Sequence, residues 1–151
     1  MNMDIKTKEE RSRNMSRIRS RDTSAEVYIR HLLFARGYRY RIAPKEITGK
    51  PDLWFPGKRV AIFVHGCFWH RHQGCRMAYM PKSRVEFWQK KFDANVARDR
   101  KVKELLAEQG IRWLVIWECT IRKMQKDPSF ESRIVDESVR FLMSDSISEE
   151  L

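Results

Sequence analysis

The chain has 151 residues, 42% of them hydrophobic, and its 31 Lys and Arg against 20 Asp and Glu give a net charge of +11. That length and composition fit one globular domain with a real core and exclude a disordered chain. No apolar run approaches the ~20 residues of a membrane span, and the charged first residues are unlike a signal peptide, so we expect an intracellular, cytoplasmic protein.

The excess of basic residues indicates the class of partner. A small domain this basic most often binds a polyanion, because each neutralised phosphate releases condensed counterions. A role at the membrane surface is disfavoured, since no basic amphipathic helix with an aromatic face stands out. A generally basic protein without such a partner is the alternative.

Residues 1–21 are predicted to form a basic arm outside a single domain that spans residues 22–151. Arg17 and Arg19 are among its five arginines from position 11 onward, and Met15 and Ile18 are too few apolar residues for a core. The arm is either a short helix that becomes ordered on a partner or a frayed terminus. Its charge favours the first.

The first half of the domain predicts one helix and three strands. Thr23 and Glu26 have the spacing of a capping box, and Gly37 is a natural end for that helix. Alternation in YRYRI predicts a strand over 38–42. Further strands are predicted over 52–55 and 60–64, joined by a turn at Pro56-Gly57.

The second half predicts a long charged helix over 83–108, stopped by Gly110, and a buried strand over 111–117. A last helix is expected over 129–142, followed by a mobile Ser/Glu-rich tail. The order of these elements predicts an α/β domain with a mixed central sheet flanked by helices.

Cysteine and histidine cluster in the loop after the third predicted strand. Cys67, His72 and Cys75 have the pattern C-x4-H-x2-C, and Cys119 follows the 111–117 strand. Three thiolates and one imidazole complete a tetrahedral zinc site with no open position, which is typical of a structural metal. His70 could replace His72 as the fourth ligand. Three unrelated buried thiols are the alternative.

Acidic residues predict a second metal site. Asp52 begins a strand after Pro51, where a carboxylate could bind Mg²⁺, and Glu26 and Asp99 are further candidate oxygen ligands. His65 and His70 could accept a proton from an attacking water. Each residue also has an ordinary structural alternative, such as a turn, a helix cap or an exposed ion pair. From the residues alone, the interpretation is a metal-dependent hydrolase that acts on nucleic acid.

Five segments carry a more specific signal: RSRNMSRIRSRDTSAE, GKPDLWF, VAIFVHGCFWHRHQGC, PKSRVEFWQKKFDANVARD and WLVIWEC. Together they resemble the very-short-patch repair endonucleases, and they extend in the family's order over most of the chain. The resemblance implies a restriction-endonuclease-like core related to the PD-(D/E)XK nucleases. It also implies a DNA nick 5′ to the T of a T:G mismatch, in the context left by deamination of 5-methylcytosine.

The resemblance also implies roles for individual residues. Asp52 would bind Mg²⁺ directly, together with the backbone carbonyl of Val64, and His70 would be the general base. Glu26, His65 and Asp99 would hold metal-bound waters or support the site. The zinc positions of the family fall on four residues, Cys67, His72, Cys75 and Cys119.

DNA contacts are implied in the same way. Phe68, Trp69 and Trp88 match the aromatic residues that wedge into the duplex, and Lys91 and Asn95 match positions near the mismatched pair. The arm resembles the segment that closes over DNA, and its candidate contacts are Asn14, Met15, Arg17 and Arg19. Mismatch-repair proteins and a DNA polymerase are implied as partners of a nucleoid-associated enzyme, which we expect to act as a monomer.

The chain departs from the wider nuclease superfamily at one point. No (D/E)-x-K sequence follows Asp52 on the next strand, where VAIFVHG contains neither an acid nor a lysine. The sequence therefore predicts a histidine-based variant. A nuclease of the same fold with another specificity, and a zinc-stabilised DNA-binding module without catalysis, are the two rival interpretations.

Overall fold

A computed structural model describes residues 23–151, in which one four-stranded mixed sheet is packed between helices. The strands are β1 (Leu53–Phe55), β2 (Val60–His65), β3 (Arg112–Trp117) and β4 (Ser148–Glu150). The helices are α1 (Ser24–Ala35), α2 (Val85–Glu108), α3 (Glu118–Lys126) and α4 (Pro128–Met143). The predicted mixed sheet flanked by helices is therefore confirmed.

The sheet order is β1-β2-β3-β4, in which β1 is antiparallel to β2 and the other neighbouring pairs are parallel. Within residues 23–151, no helix has the length and apolar character that crossing a membrane requires. The predictions for Asn14, Met15, Arg17 and Arg19 lie outside the described residues.

Alternating residues of the central strands are buried on opposite faces of the sheet. Val60 and Ile62 of β2 belong to a core with α1, α3 and α4, whereas Ala61 and Phe63 belong to a second core that includes Leu106 of α2. A strand buried on both sides has no polar face, which explains the nearly continuous apolar runs of β2 and β3.

Helix α1 begins and ends as predicted. The side chain of Thr23 accepts a hydrogen bond from the backbone N–H of Glu26 at 3.3 Å, so Thr23 is the N-cap. Gly37 follows the C-cap residue with φ of +92°, a left-handed conformation that glycine adopts without steric cost.

The strand predicted over 38–42 is wrong. Arg41 forms an isolated antiparallel bridge with Trp54, and the flanking residues are irregular. Ala43 has φ of 42°, and its N–H donates to the carbonyl of Pro51 at 3.1 Å. This turn carries the chain away from the sheet after a single ladder position.

The long helix and the third main strand lie close to their predicted positions. Helix α2 begins at Val85 because Arg84, its N-cap, has a left-handed φ of 55°. Gly110 has φ of +70°, as a residue that ends a helix should, and β3 begins at Arg112. The prediction of burial holds for the last four residues of β3, while Arg112 and Trp113 are half-buried.

Two features after β3 correct the predicted topology. Cys119 lies in the first turn of α3, a helix that the sequence did not predict. The segment expected to be a mobile tail instead forms β4, which pairs in parallel with β3. The order is consequently α-β-β-α-β-α-α-β rather than one that ends in a single helix.

Gly49 provides a test of packing beneath the sheet edge. Its φ is +81°, and a Cβ atom there would lie 2.7 Å from Cγ1 of Val102 and 3.1 Å from the Phe63 ring. We expect Gly49→Ala to lower the free energy of unfolding by about 2 kcal/mol, from backbone strain and steric overlap. Urea denaturation measures this, with Gly57→Ala as control because a Cβ at Gly57 meets nothing within 4 Å. Equal losses in the two variants would contradict the expectation.

Candidate active site

The predicted functional residues meet at one edge of the sheet. Strands β2 and β3 are parallel, so both end at this edge, and the antiparallel β1 begins there. Asp52 immediately precedes β1, His65 ends β2, and Cys119 follows β3 by one residue. In α/β sheets, this edge beyond the carboxyl ends of the strands is the usual place for a site.

Asp52 lies close to a second carboxylate. Its Oδ2 accepts a hydrogen bond from the backbone N–H of Val64 at 2.6 Å, and Glu26 of α1 is buried beside it. Burial raises the pKa of Asp52 to about 7, against the lowering effect of the Val64 N–H, and the negative charge of Glu26 adds to the rise. Two carboxylates held together out of water form a favourable position for a cation.

Arg30 is a member of this group that the sequence analysis missed. It is only 4% exposed, its Nε donates to the backbone carbonyl of Asp52 at 3.3 Å, and its Nη2 contacts Oε2 of Glu26 at 3.4 Å. Its charge lowers the pKa of Asp52 and so opposes the effect of burial. The i, i+4 spacing of Glu26 and Arg30 on α1 was the sequence signal for this pair.

His70 and Asp99 form the second part of the site. Nδ1 of His70 lies 2.7 Å from Oδ2 of Asp99. Although burial alone would raise the pKa of Asp99, the hydrogen bond and charge of His70 lower it below its usual value. An ionised Asp99 requires the proton on Nδ1, which leaves Nε2 of His70 able to accept one.

His65 supports the ring of His70 by stacking. The two ring centroids are 3.8 Å apart with an angle of 4° between the planes. Burial lowers the pKa of His65 to about 3, and the neighbouring His70 contributes to this shift. A neutral His65 can therefore pack against His70 without charge repulsion.

These groups line one cleft of about 280 Å³. Acidic and imidazole side chains share its wall with three cations, and the members of this set are Glu26, Asp52, His65, His70, Asp99, Lys50, Arg98 and Lys103. The arrangement combines oxygen ligands for a hard metal, a proton acceptor and positive charge for an anionic substrate. Those are the elements of metal-assisted hydrolysis of a phosphodiester.

The structure brings Cys67, His72, Cys75 and Cys119 together, with all ligand atoms within 4.8 Å of one another. Nδ1 of His72 lies 3.5 Å from Sγ of both Cys67 and Cys119. Metal–sulfur and metal–nitrogen bonds of about 2.3 and 2.05 Å at a tetrahedral angle would place these atoms about 3.6 Å apart. These two distances therefore fit tetrahedral coordination of a metal ion by the cluster.

The loop that carries these ligands is fixed by Arg71, another residue that the sequence analysis missed. Arg71 has φ of 54°, and its guanidinium donates to the carbonyls of Phe68, Ala78 and Tyr79 at 2.9 to 3.2 Å. It also lies 3.8 Å above the ring of Phe92 on α2.

The thiol of Cys67 would need a bound cation to be held as a thiolate. Burial is the main cause that raises the pKa of Cys67 to about 12.

The predicted wedge residues form an aromatic cluster beside the ligand loop. Phe68 packs edge-to-face on Trp69 at 5.1 Å and on Trp88 at 5.7 Å, and Phe92 of α2 lies beneath them. All three predicted residues are half-buried, whereas Phe92 is buried. The cluster thus has a core-facing base and an accessible aromatic surface.

Lys91 and Asn95 lie next to this surface on α2. Asn95 Nδ2 donates to the backbone carbonyl of Trp69 at 3.1 Å, and Lys91 Nζ lies 6.0 Å from the Trp69 ring centroid. The side chain of Asn95 therefore helps to fix the loop that carries Trp69.

Comparisons with known proteins extend over most of this fold. A family profile described as DNA mismatch endonuclease Vsr matches residues 3–76. The type II nicking enzyme V.XorIIP of Xanthomonas oryzae pv. oryzae is 46% identical over 107 residues, 71% of this chain and 78% of that enzyme. The DNA mismatch endonuclease Vsr of Escherichia coli is 41% identical over 123 residues, 82% of this chain and 78% of that protein.

A third relative is the type II nicking enzyme V.NmeAIP of Neisseria meningitidis. It is 40% identical over 119 residues, which are 79% of this chain and 84% of that enzyme. The similarity therefore covers most of each relative and is not confined to one shared motif.

Proposed function

Because this chain belongs to the DNA mismatch endonuclease Vsr family and is a DNA mismatch endonuclease, we propose that it nicks one strand 5′ to the T of a T:G mismatch. The reaction is a magnesium-dependent hydrolysis in the context left by deamination of 5-methylcytosine, which begins very-short-patch repair. Two relatives described as type II nicking enzymes support cleavage of a single strand. We also assign the mixed sheet to the restriction-endonuclease-like fold.

The observation that carries this proposal is the cleft itself. It combines the Asp52–Glu26 carboxylate pair with the His70–Asp99 pair in one cavity. A DNA-binding module would have no need for a carboxylate whose pKa is raised to about 7 beside a stacked pair of imidazoles. We therefore favour catalysis over binding alone.

Asp52 and the backbone carbonyl of Val64 are the ligands that we propose for magnesium. Glu26 would accept hydrogen bonds from water in the same site, because magnesium retains several waters when it binds to proteins. When bound, the metal polarises the phosphoryl group and stabilises the leaving oxygen. Arg30 would limit the repulsion between the two carboxylates before the metal arrives.

His70 is the proposed proton acceptor. A water molecule attacks phosphorus and gives its proton to Nε2 of His70, while the bond between phosphorus and the leaving O3′ breaks. The leaving O3′ takes up a proton from solvent water, so the products are a 5′-phosphate on the T and a 3′-hydroxyl on the preceding nucleotide. Asp99 holds Nδ1 and stabilises the positive ring that results, and neutral His65 keeps the ring plane fixed.

Zinc is the metal that we propose for Cys67, His72, Cys75 and Cys119. All four tetrahedral positions would be filled by protein atoms, so this ion would stabilise the loop and take no part in hydrolysis. Its task would be to connect the loop to the first turn of α3 at the end of β3.

The aromatic cluster is the proposed mismatch sensor. Phe68, Trp69 and Trp88 would enter the opened base step, and their rings would replace part of the lost base stacking. A T:G wobble costs less to open than a matched pair, which favours mismatched DNA. Lys91 and Asn95 would lie near the mismatched pair. The basic arm would close over the DNA, with contacts from Asn14, Met15, Arg17 and Arg19.

The test of this function is a panel of end-labelled duplexes with magnesium present. We expect one nick, 5′ to the T, in a duplex with T:G inside C-T-(A/T)-G-G, and no cleavage of the matched T:A duplex. Equal cutting of both would favour a nuclease of the same fold with another specificity, and binding without cutting would favour the DNA-binding module. We expect a monomer to be sufficient for the nick, which would be made in the cytoplasm. Mismatch-repair proteins and a DNA polymerase are the proposed partners that act after the nick.

Replacing His70 tests the proposed proton acceptor. We expect His70→Ala to lower the single-turnover nicking rate by about 10² to 10⁴, the usual contribution of a general base. His31→Ala is the control, because His31 is exposed on α1. A wild-type rate in His70→Ala would remove this residue from the mechanism.

A further inference from the structure

Strand β4 places the carboxylate of Glu150 near the edge of the sheet where the candidate active-site residues meet. It pairs with β3 so that Glu150 is the register partner of Val115. The backbone N–H of Trp117 donates to the carbonyl of Leu151 at 3.0 Å, so the pairing continues to the last residue of β3. A segment that the sequence predicted to be mobile is therefore fixed beside the catalytic cleft.

The Glu150 side chain makes two contacts there. Its Oε1 accepts a hydrogen bond from Nε1 of Trp117 at 2.9 Å, and its Oε2 lies 3.5 Å from Nζ of Lys103. Trp117 is only 7% exposed, whereas Lys103 and Glu150 are accessible to water. An exposed ion pair contributes little to stability, but an indole N–H without its acceptor would be buried unsatisfied.

Trp117 connects Glu150 with the imidazole rings of both proposed sites. Its ring stacks on His72 with centroids 4.1 Å apart and an angle of 6°. It also meets His65 edge-on at 5.4 Å, and His65 stacks on His70. Glu150, Trp117, His65 and His70 thus form a continuous series of contacts from the last strand to the proposed proton acceptor.

We propose that Glu150 is a positioning residue for the nicking reaction. By accepting the indole hydrogen bond, it fixes the rotation of Trp117, which supports the stacked rings of His65 and His70. The inference rests on the proposed role of His70. A displacement of a reacting group by about 1 Å can cost about 100-fold in rate, so a contact outside the cleft can have a large kinetic effect.

The experiment compares Glu150→Ala, Glu150→Gln and Glu149→Ala as purified full-length proteins with their zinc retained. Gln can still accept the indole hydrogen bond but cannot pair electrostatically with Lys103. Glu149 is an exposed neighbour on the same strand and provides the matched control. Single-turnover nicking of T:G DNA at saturating enzyme is measured beside DNA affinity and melting temperature, with His70→Ala in parallel.

We expect Glu150→Ala to slow nicking roughly 10- to 100-fold with little change in DNA affinity, and Glu150→Gln and Glu149→Ala to remain within about twofold of wild type. A wild-type rate in Glu150→Ala, or a Gln variant as slow as the Ala variant, would overturn the inference. If Glu150→Ala does not fold, Trp117→Phe is used in its place. This variant keeps an aromatic ring but removes the indole N–H donor, and it should slow nicking to the same extent. A wild-type rate in that variant would also overturn the inference.

The parallel His70→Ala measurement separates the two failures. If His70→Ala nicks like wild type, the proposed mechanism is wrong whatever Glu150 does. If His70→Ala is slow and Glu150→Ala is not, the mechanism stands and only the positioning role of Glu150 fails.

Discussion

Asp52→Asn is expected to lower the nicking rate at least about a thousandfold, because the loss of a direct metal ligand removes several kcal/mol of transition-state stabilisation. The amide oxygen of Asn can still accept the hydrogen bond that the Val64 N–H gives to Asp52 at 2.6 Å. The shape of the site is therefore kept, while its negative charge is lost. Single-turnover nicking of T:G DNA in saturating magnesium measures the effect.

The same substitution should stabilise the protein without metal. Burial raises the pKa of Asp52 from its ordinary 3.8 to about 7, so the folded state holds an extra proton between about pH 4 and 7. Stability consequently falls as pH rises through that window and remains lower above it. An uncharged Asn avoids this loss. We expect Asp52→Asn to raise the free energy of unfolding by on the order of 2 kcal/mol at about pH 8. This is less than the full pKa shift of Asp52 would give, because water reaches the carboxylate.

Urea denaturation in magnesium-free buffer, with the zinc content of each protein measured beforehand, tests this gain. At about pH 4 the two proteins should have similar free energies of unfolding, and the difference should open as the pH rises. Asp145→Asn, at an exposed position beyond α4, is the control for activity and stability. An Asp52→Asn protein that nicks at the wild-type rate would refute the assignment of this carboxylate to the catalytic metal.

Cys119→Ser is the second substitution with a large expected effect. A hydroxyl is a poor replacement for a zinc thiolate, and the free energy of binding a structural zinc ion is folding free energy. Cys119 lies at the start of α3, and its Sγ lies 3.5 Å from Nδ1 of His72, so loss of the thiolate would remove the metal-mediated connection between the loop that carries His72 and the helix. We expect zinc content well below one per chain and a melting temperature lower by about 10 °C or more.

The matched control for this change is Thr120→Ser, which alters the adjacent residue of α3 and leaves the thiolates in place. Its zinc content and melting temperature should equal those of the wild type. If Cys119→Ser also kept full zinc content and stability, the four side chains would not form a structural metal site.

Much of the fold was predictable because local and tertiary preferences agree. Thr23 and Gly37 mark the ends of α1, and both residues have the expected roles in the structure. The apolar runs of β2 and β3 are long enough to identify strands that are buried on both faces. Three of the residues that meet at the sheet edge, Asp52, His65 and Cys119, followed from these strands, since each lies at or next to a strand end.

The rest of the fold depends on contacts that leave little trace in the sequence. Helix α3 begins directly after β3 with Trp117 as its N-cap, so no polar capping residue signals the change. Strand β4 consists of exposed Ser-Glu-Glu and is held by backbone pairing with β3, which produces no hydrophobic period. Residues 38–42 do alternate in side-chain type as a strand would. Because the chain turns at Ala43, only Arg41 pairs with Trp54.

The candidate site also contains residues that the sequence predicts and residues that it does not. Cysteine and histidine spacing was enough to nominate the thiolate cluster, because few residues of these types are present. Arg30, Trp117 and Glu150 were missed because each acts through a neighbour that is brought near by the tertiary fold. Residue types that bind metals carry a signal of their own, whereas residues that orient them do not.

We propose that the Asp52 cleft is a magnesium-dependent hydrolytic centre that is separate from the proposed zinc cluster. The most direct measurement is single-turnover nicking of one T:G duplex by protein that contains its zinc, with magnesium present and after its removal. We expect no nick without magnesium, full recovery of nicking when magnesium is returned, and unchanged zinc content throughout. Nicking that persists without magnesium, or that is lost only when zinc is removed, would contradict it.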